Sequence, residues 1–151
     1  MDKIQLAEFI RTIGPGPEIR EGKQYVEVSV PAEMLHPLAK QLREREETKF
    51  DFMFCLAGVD YGQDLGVVYH LRSTIHNQTV VLKVRTPDRE HPQFDSVSDI
   101  WQTADFHERE AFDLLGIRFN NHPDLRRLFL DNSWGFPLRK DYVDDINIVT
   151  K

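Results

Sequence analysis

Apolar residues recur along this chain with two different periods, and the changes of period mark out its elements. Ile4, Leu6, Ala7 and Ile10 trace one face of a helix that Asp2 is placed to cap and that Gly14-Pro15-Gly16-Pro17 ends. Residues 18–20 then run extended into Glu21-Gly22-Lys23, a hairpin turn. Residues 25–30 alternate beyond it, with Val26, Val28 and Val30 on one side. Leu35, Leu38, Ala39 and Leu42 restore the helical period. Pro37 requires this helix to begin near it or to kink, and the charged run 43–47 reads as its solvated end. Phe50, Phe52, Phe54 and Leu56 alternate with Asp51, Met53, Cys55 and Ala57, which predicts a central strand with its phenylalanines facing the helices. Residues 67–73 and 79–86 form a second hairpin around His76-Asn77-Gln78, followed by a loop over 87–93. Ser96-Val97-Ser98-Asp99 has the pattern of a capping box before one short helical turn at Ile100 and Trp101. Thr103 or Asp105 then caps a helix over 104–115 that Gly116 closes. The expected fold is a two-layer α+β domain with a mixed sheet and its helices on one face.

After Gly116 the periodicity stops, yet large side chains continue. Ile117, Phe119, Leu125, Leu128, Phe129, Leu130, Trp134, Phe136, Leu138 and Tyr142 are interleaved with Arg126, Arg127, Arg139 and Lys140. Connecting loops are usually shorter and more polar, whereas aromatic and Arg residues are enriched at protein–protein contacts. Ordering residues 117–142 costs on the order of 1–2 kcal/mol per residue, and ten buried anchors contribute roughly 1.5–3 kcal/mol each. The sums are similar, so the segment must lie on the preceding domain, on a partner, or on both. We therefore expect residues 1–116 to form the α+β domain and 117–151 an extended C-terminal arm of the same single domain.

Charge and cysteine content narrow the function. The chain has 19 Lys and Arg against 25 Asp and Glu, a net of −6, and residues 107–142 are themselves balanced. No nucleic-acid or anionic-membrane surface is indicated. The one cysteine, Cys55, excludes an internal disulfide and a cysteine-ligated iron–sulfur cluster held by this chain alone. The sequence has no signal-peptide pattern and no apolar run long enough to span a bilayer, which predicts a soluble cytosolic chain.

Candidate chemistry is sparse. His107-Glu108 begins like a zincin helix, but Ala111 stands where the second histidine is needed. Glu108 and Glu110 are two apart on a helix and face different directions. No glycine-rich phosphate loop follows a strand. These patterns predict no active site, with an undetected hydrolase and a free-standing adaptor domain as the other readings. The helix over 104–115 is unusual in one respect: Glu108 shares a face with Ala111, Phe112 and Leu115. A carboxylate there is costly unless a partner meets it, and we expect an arginine from the returning arm, Arg126, Arg127 or Arg139. The alternative is a rotated helix with a solvated Glu108. Arg109 lies on another face, at i+4 spacing to Asp113.

Four blocks together give the chain a resemblance. Glu108-Arg109-Glu110, Asp113-Leu114-Leu115-Gly116-Ile117, His122-Pro123-Asp124-Leu125-Arg126-Arg127-Leu128 and Pro137-Leu138-Arg139-Lys140-Asp141-Tyr142 closely resemble the family of C subunits of NADH–quinone oxidoreductase, respiratory complex I. Ser96 to Ile100, Phe50-Asp51 and Gly58-Val59-Asp60-Tyr61 fit as well. Phe106 and Phe136 depart from the family pattern, which commonly has tryptophan at the first position and a small or histidine-containing step at the second.

The resemblance implies a non-catalytic structural and assembly subunit in the peripheral arm of the complex, supporting electron transfer from NADH to quinone. It implies no cofactor on this chain, with NAD, FMN, iron–sulfur clusters and quinone elsewhere. It implies the D subunit as chief partner, with B and I beside it, on the cytoplasmic side of the cell membrane without direct insertion. From these blocks Glu108, Arg109, Glu110, Asp113, His122, Pro123, Asp124, Arg126, Arg127, Pro137, Leu138, Arg139, Lys140, Asp141 and Tyr142, with Trp134 and Phe136, are the expected family signature and partner interface. The equivalent subunit of an energy-converting membrane-bound [NiFe] hydrogenase carries much the same blocks and is the alternative.

Overall fold

A computed structural model of the chain describes residues 3–13, 17–22, 24–123, 125, 136 and 139. Alternating valines and leucines build a five-stranded mixed sheet from β1 (Glu18–Glu21), β2 (Val26–Ser29), β3 (Phe52–Asp60), β4 (Leu65–Ser73) and β5 (Gln78–Thr86), in the order β1-β2-β5-β4-β3. The β1–β2, β3–β4 and β4–β5 ladders are antiparallel, and β2 pairs with β5 in parallel, Val26 opposite Val80. Val28, Leu65, Val67, Tyr69, Leu71, Val80 and Leu82 are all fully buried on one face. Three helices cover that face: α1 (Lys3–Ile13), α2 (Leu35–Glu44) and α3 (Ala104–Leu115).

The helices follow their periodicity closely. Leu35, Leu38, Ala39 and Leu42 of α2 are buried, and the charged residues 43–47 are exposed. Pro37 sits in the first turn of α2, where its missing N–H is not needed, and a 3-10 turn (Ala32–Met34) leads into it. In α1, Leu6, Ala7 and Ile10 are buried but Ile4 is 57% exposed, so Ile4 is not part of the inner face. Asp2 and most of the Gly-Pro stop lie outside the described residues.

Strand β3 differs from expectation in two ways. It is an edge strand, with β4 and β5 in the centre. Its register also differs over Phe52 and Phe54: these are 43% and 40% exposed and Met53 points into the core instead, while Leu56 faces the core as expected. A bulge between Met53 and Cys55, which pair with Leu71 and His70, leaves Phe54 as the extra residue and returns Leu56 to the inner face. The bulge lets two residues three apart face the same side. Phe50 is fully buried as expected, but from the segment before the strand, where its N–H donates to the Leu42 carbonyl at 2.9 Å.

The turn at residues 96–101 also differs. It makes one helical turn, with the Ile100 and Trp101 amides donating to the Val97 carbonyl. It is not a capping box: Asp99 pairs with His36 of α2 at 2.9 Å, and the Ser96 amide donates to the Asn120 carbonyl. Thr103 occupies the N-cap position of α3 without capping it, because its hydroxyl donates to the Met53 carbonyl. Gly116 closes α3 as expected, at φ +75°. Two short strands, β6 (Gln93–Asp95) and β7 (Arg118–Asn120), pair in parallel beside the main sheet. Three residues carry too little periodicity for either to be read from sequence.

Candidate functional site

Helix α3 reaches the sheet because of a glycine. A Cβ on Gly58 of β3 would lie 2.5 Å from the end of the Leu115 side chain and 3.4 Å from Ala111, so glycine lets this helix settle against the strand without moving Leu115. On the buried side of α3, Ala104, Glu108, Ala111, Phe112, Asp113 and Leu115 are enclosed.

Glu108 is wholly buried and hydrogen-bonded. It accepts from the Ser96 hydroxyl at 2.6 Å and from the Val97 amide at 3.0 Å. The enclosed ring of His122 stands 3.8 Å away on its Nε2 side. The same nitrogen lies 3.2 Å from the Asp105 carbonyl oxygen and 3.0 Å from Asp105 Oδ1, the latter an ion-pair contact without hydrogen-bond geometry. Burial pushes the Glu108 carboxyl up to about 7, against the lowering effect of the Ser96 and Val97 hydrogen bonds, and repulsion by Asp105 and Asp99 adds to the rise.

The partners of Glu108 are therefore not the expected ones. A hydroxyl, a backbone amide and an imidazole meet the carboxylate, and Arg139 goes elsewhere, while Arg126 and Arg127 lie outside the described residues. The serine that satisfies Glu108 is Ser96, whose sequence pattern is that of a helix cap. The alternative of a solvated Glu108 is also excluded by its burial.

Arg139 closes the other end of α3. Its Nε donates to the Leu115 carbonyl at 2.6 Å and a terminal nitrogen donates to the Arg89 carbonyl at 3.0 Å. A cation at a helix C-terminus satisfies carbonyls that lack intrahelical donors and complements the helix dipole. Phe136 stacks beside it, 6.2 Å from the Phe112 ring, and the Arg139 guanidinium lies 5.3 Å over the Phe136 ring. Gly116 makes room: a Cβ there would come within 2.7 Å of Phe136 and 2.9 Å of Arg139. Arg89 itself forms a two-pronged pair with Asp60 at 2.7 and 2.9 Å, and the Asp60 side chain is 3% exposed. A line of contacts thus runs from Asp60 at the end of β3 through Arg89 to Arg139 and α3.

Replacing Asp60 by alanine is expected to lower stability by about 1.5–3 kcal/mol, the size of a charge-assisted hydrogen bond lost inside the fold. A denaturant midpoint that moves by less than about a third of that would show the Asp60–Arg89 pair to be dispensable.

Of the other residues expected at the site, Asp113 is buried and Arg109 and Glu110 are half-buried. Arg109 Nε is enclosed without a hydrogen-bond partner among the described residues. Pro123 is exposed. Asp124, Trp134, Pro137, Leu138, Lys140, Asp141 and Tyr142 lie outside the described residues. No group of three or more His, Cys, Asp or Glu among the described residues is arranged to hold a metal ion, and no described helix is long and apolar enough to cross a membrane.

This geometry defines an α+β domain whose most elaborate polar contacts fasten one helix and a returning segment to the sheet. Residues 28–145 match the family described as respiratory-chain NADH dehydrogenase, 30 Kd subunit, and the chain belongs to that family. The C subunit of NADH-quinone oxidoreductase from Moorella thermoacetica is 40% identical over 136 residues, covering 88% of this chain and 90% of that protein. The C/D subunit of NADH-quinone oxidoreductase from Phocaeicola vulgatus is 49% identical over 122 residues, or 80% of this chain. The chain spans only 23% of that relative's length. The fold also recurs, with a TM-score of 0.80 and 23% identity over 92% of this chain and 84% of the other, in the membrane-bound sulfane sulfur reductase (MBS), an archaeal respiratory membrane complex.

Proposed function

We propose that this chain is a non-catalytic structural and assembly subunit in the peripheral arm of a proton-translocating NADH–quinone oxidoreductase. The observation that carries this reading is the family match over 28–145 together with a C-subunit relative covered along nearly its whole length. In this role the chain supports electron transfer from NADH to quinone, while NAD, FMN, iron–sulfur clusters and quinone are bound by other subunits. Its chief neighbour is the D subunit, with B and I nearby, on the cytoplasmic side of the cell membrane. The Phocaeicola vulgatus relative, whose name joins C and D, supports D as the neighbour, since there both names belong to one polypeptide.

Residues 117–151 act as the arm of the domain formed by 1–116, and the residues with aromatic and Arg side chains, Trp134, Phe136, Leu138 and Arg139, anchor it. Phe136 and Arg139 rest on α3 of this chain, so the arm is held at that point by its own domain and offers its remaining length to the partner. Cutting the chain after Leu130 is expected to leave a folded domain that no longer incorporates into the membrane complex. Normal incorporation of the truncated chain would overturn the assignment of the arm.

Isolation of the tagged full chain from solubilised membranes tests the whole reading. Recovery of the B, D and I subunits with NADH–quinone reductase activity supports it. The alternative, the equivalent subunit of an energy-converting [NiFe] hydrogenase, predicts a nickel-containing large subunit instead. Recovery of the chain alone would leave an adaptor domain, and ester hydrolysis by the isolated chain would revive an enzyme.

A further inference from the structure

Two arginines beside helix α3 meet no carboxylate among the described residues. Arg109 is half-buried, and its Nε is enclosed without a hydrogen-bond partner. Asp105 and Asp113 stand four residues to either side of it on the helix, the spacing at which an aspartate and an arginine pair. Arg109 pairs with neither: Asp105 lies 3.0 Å from the His122 ring, and Asp113 is fully buried. An exposed arginine left to water is ordinary, but an enclosed guanidinium nitrogen is costly without an acceptor. Arg118 of β7 is exposed, and its guanidinium lies 5.3 Å over the Phe112 ring. A guanidinium set over an aromatic ring keeps its N–H edge for a carboxylate, whose two oxygens match that fork. Both arginines border this one ring, because Arg109 precedes Phe112 by three residues and lies beside it on the preceding turn. Phe136 packs on Phe112 from the arm, with Arg139 over it, so the cationic flank runs into the contact that holds the arm.

We propose that Arg109 and Arg118 form a seat for an acidic segment of the D subunit, which enters beside the arm and sets a carboxylate against each guanidinium. This inference rests on the assembly reading above and names the chemistry of the contact. A protein carboxylate suits the seat better than a phosphate polymer does. The chain carries a net charge of −6, and Glu110 follows Arg109 directly, so an extended polyanion is repelled where two local carboxylates are not. The incoming acid gives Arg109 the partner that Asp105 and Asp113 do not provide. Arginines held against aromatic rings in this way are the usual anchors of protein interfaces.

The test uses the assembled complex, purified with the full chain carrying Arg109→Lys or Arg118→Lys. A water-soluble carbodiimide activates a carboxylate, and an amine in contact with it displaces a urea and forms an amide. The amine introduced at position 109 or 118 is expected to be joined to an Asp or Glu of the D subunit, which peptide mass spectrometry identifies. Reversing both charges, Arg109→Glu with Arg118→Glu, is expected to leave the denaturant midpoint of the full chain alone near that of the parent, because neither arginine is ion-paired among the described residues. The same double variant should enter the complex roughly tenfold less well than the parent chain in competition, the effect of losing charge-assisted contacts at an interface. Amide links only to acidic residues of this chain, no link at either position, a lowered midpoint for the chain alone, or undiminished entry of the double variant while the parent co-purifies with D would each overturn the inference and leave the assembly reading standing. Recovery of the parent chain without D would overturn both.

Discussion

Replacing Trp101 by alanine lowers the stability of the domain by about 3–5 kcal/mol, the usual cost of removing a large buried aromatic ring. Trp101 is 2% exposed, and its indole N–H donates to the Phe50 carbonyl at 2.9 Å. The ring therefore fills the core and also satisfies a buried acceptor at the entry to β3. Phenylalanine at this position keeps most of the packing but strands the carbonyl, so about 1–3 kcal/mol of the loss remains. Urea denaturation of both variants separates the two contributions. A midpoint for Trp101→Ala within about 1 kcal/mol of the parent would mean that the surrounding core collapses into the space.

Gly116→Val is expected to cost about 2–5 kcal/mol and to release the arm from α3. Two physical terms add. A side chain in the left-handed region costs roughly 1–2 kcal/mol, and a Cβ forced against Phe136 and Arg139 costs about 1–3 kcal/mol more. Displacing Arg139 also removes a donor from the Leu115 carbonyl. Gly116→Asn distinguishes the terms, because asparagine tolerates the left-handed conformation but keeps the crowding Cβ. The measurements are the denaturant midpoint and the yield of the chain in the purified membrane complex. Unchanged yield for Gly116→Val would show that the contact of Phe136 and Arg139 with α3 does not matter to assembly.

Much of the fold was legible where only one face of an element is apolar. Leu35, Leu38, Ala39 and Leu42 admit one helix orientation, and Val26, Val28 and Val30 admit one strand register. β3 was legible as a strand but not in its register, because Phe52 and Phe54 alternate with Met53, Cys55 and Ala57. Both faces of that pattern are apolar, so neither could be assigned to the core without knowledge of the bulge. The phenylalanines, the larger residues, ended on the outside. The site was legible in part. The burial of Glu108 follows from its apolar neighbours on α3, and the left-handed closure of α3 follows from Gly116. Its partner did not follow, because Ser96 and His122 reach Glu108 through the pairing of β6 with β7, an event set by tertiary packing. The need for Gly58 was equally hidden, since it depends on how closely α3 approaches.

The parallel ladder between β2 and β5 bears on the order in which the chain folds. Strands β3, β4 and β5 are joined by short turns, and the β4–β5 turn is held by Asp51, which accepts from the Thr74 amide at 2.9 Å. Their contacts are local, and their loop-closure entropy is small. The β2–β5 ladder instead closes a loop that contains α2, β3 and β4. Low contact order therefore favours the three-strand meander as the early structure, with α1, β1 and β2 docking onto its β5 edge afterwards. Because β1 is bonded to β2 alone within the sheet, the N-terminal unit can detach without unpairing the meander. Its amides are expected to exchange through a smaller opening than those of β4, which would make it a separate cooperative unit of the native state.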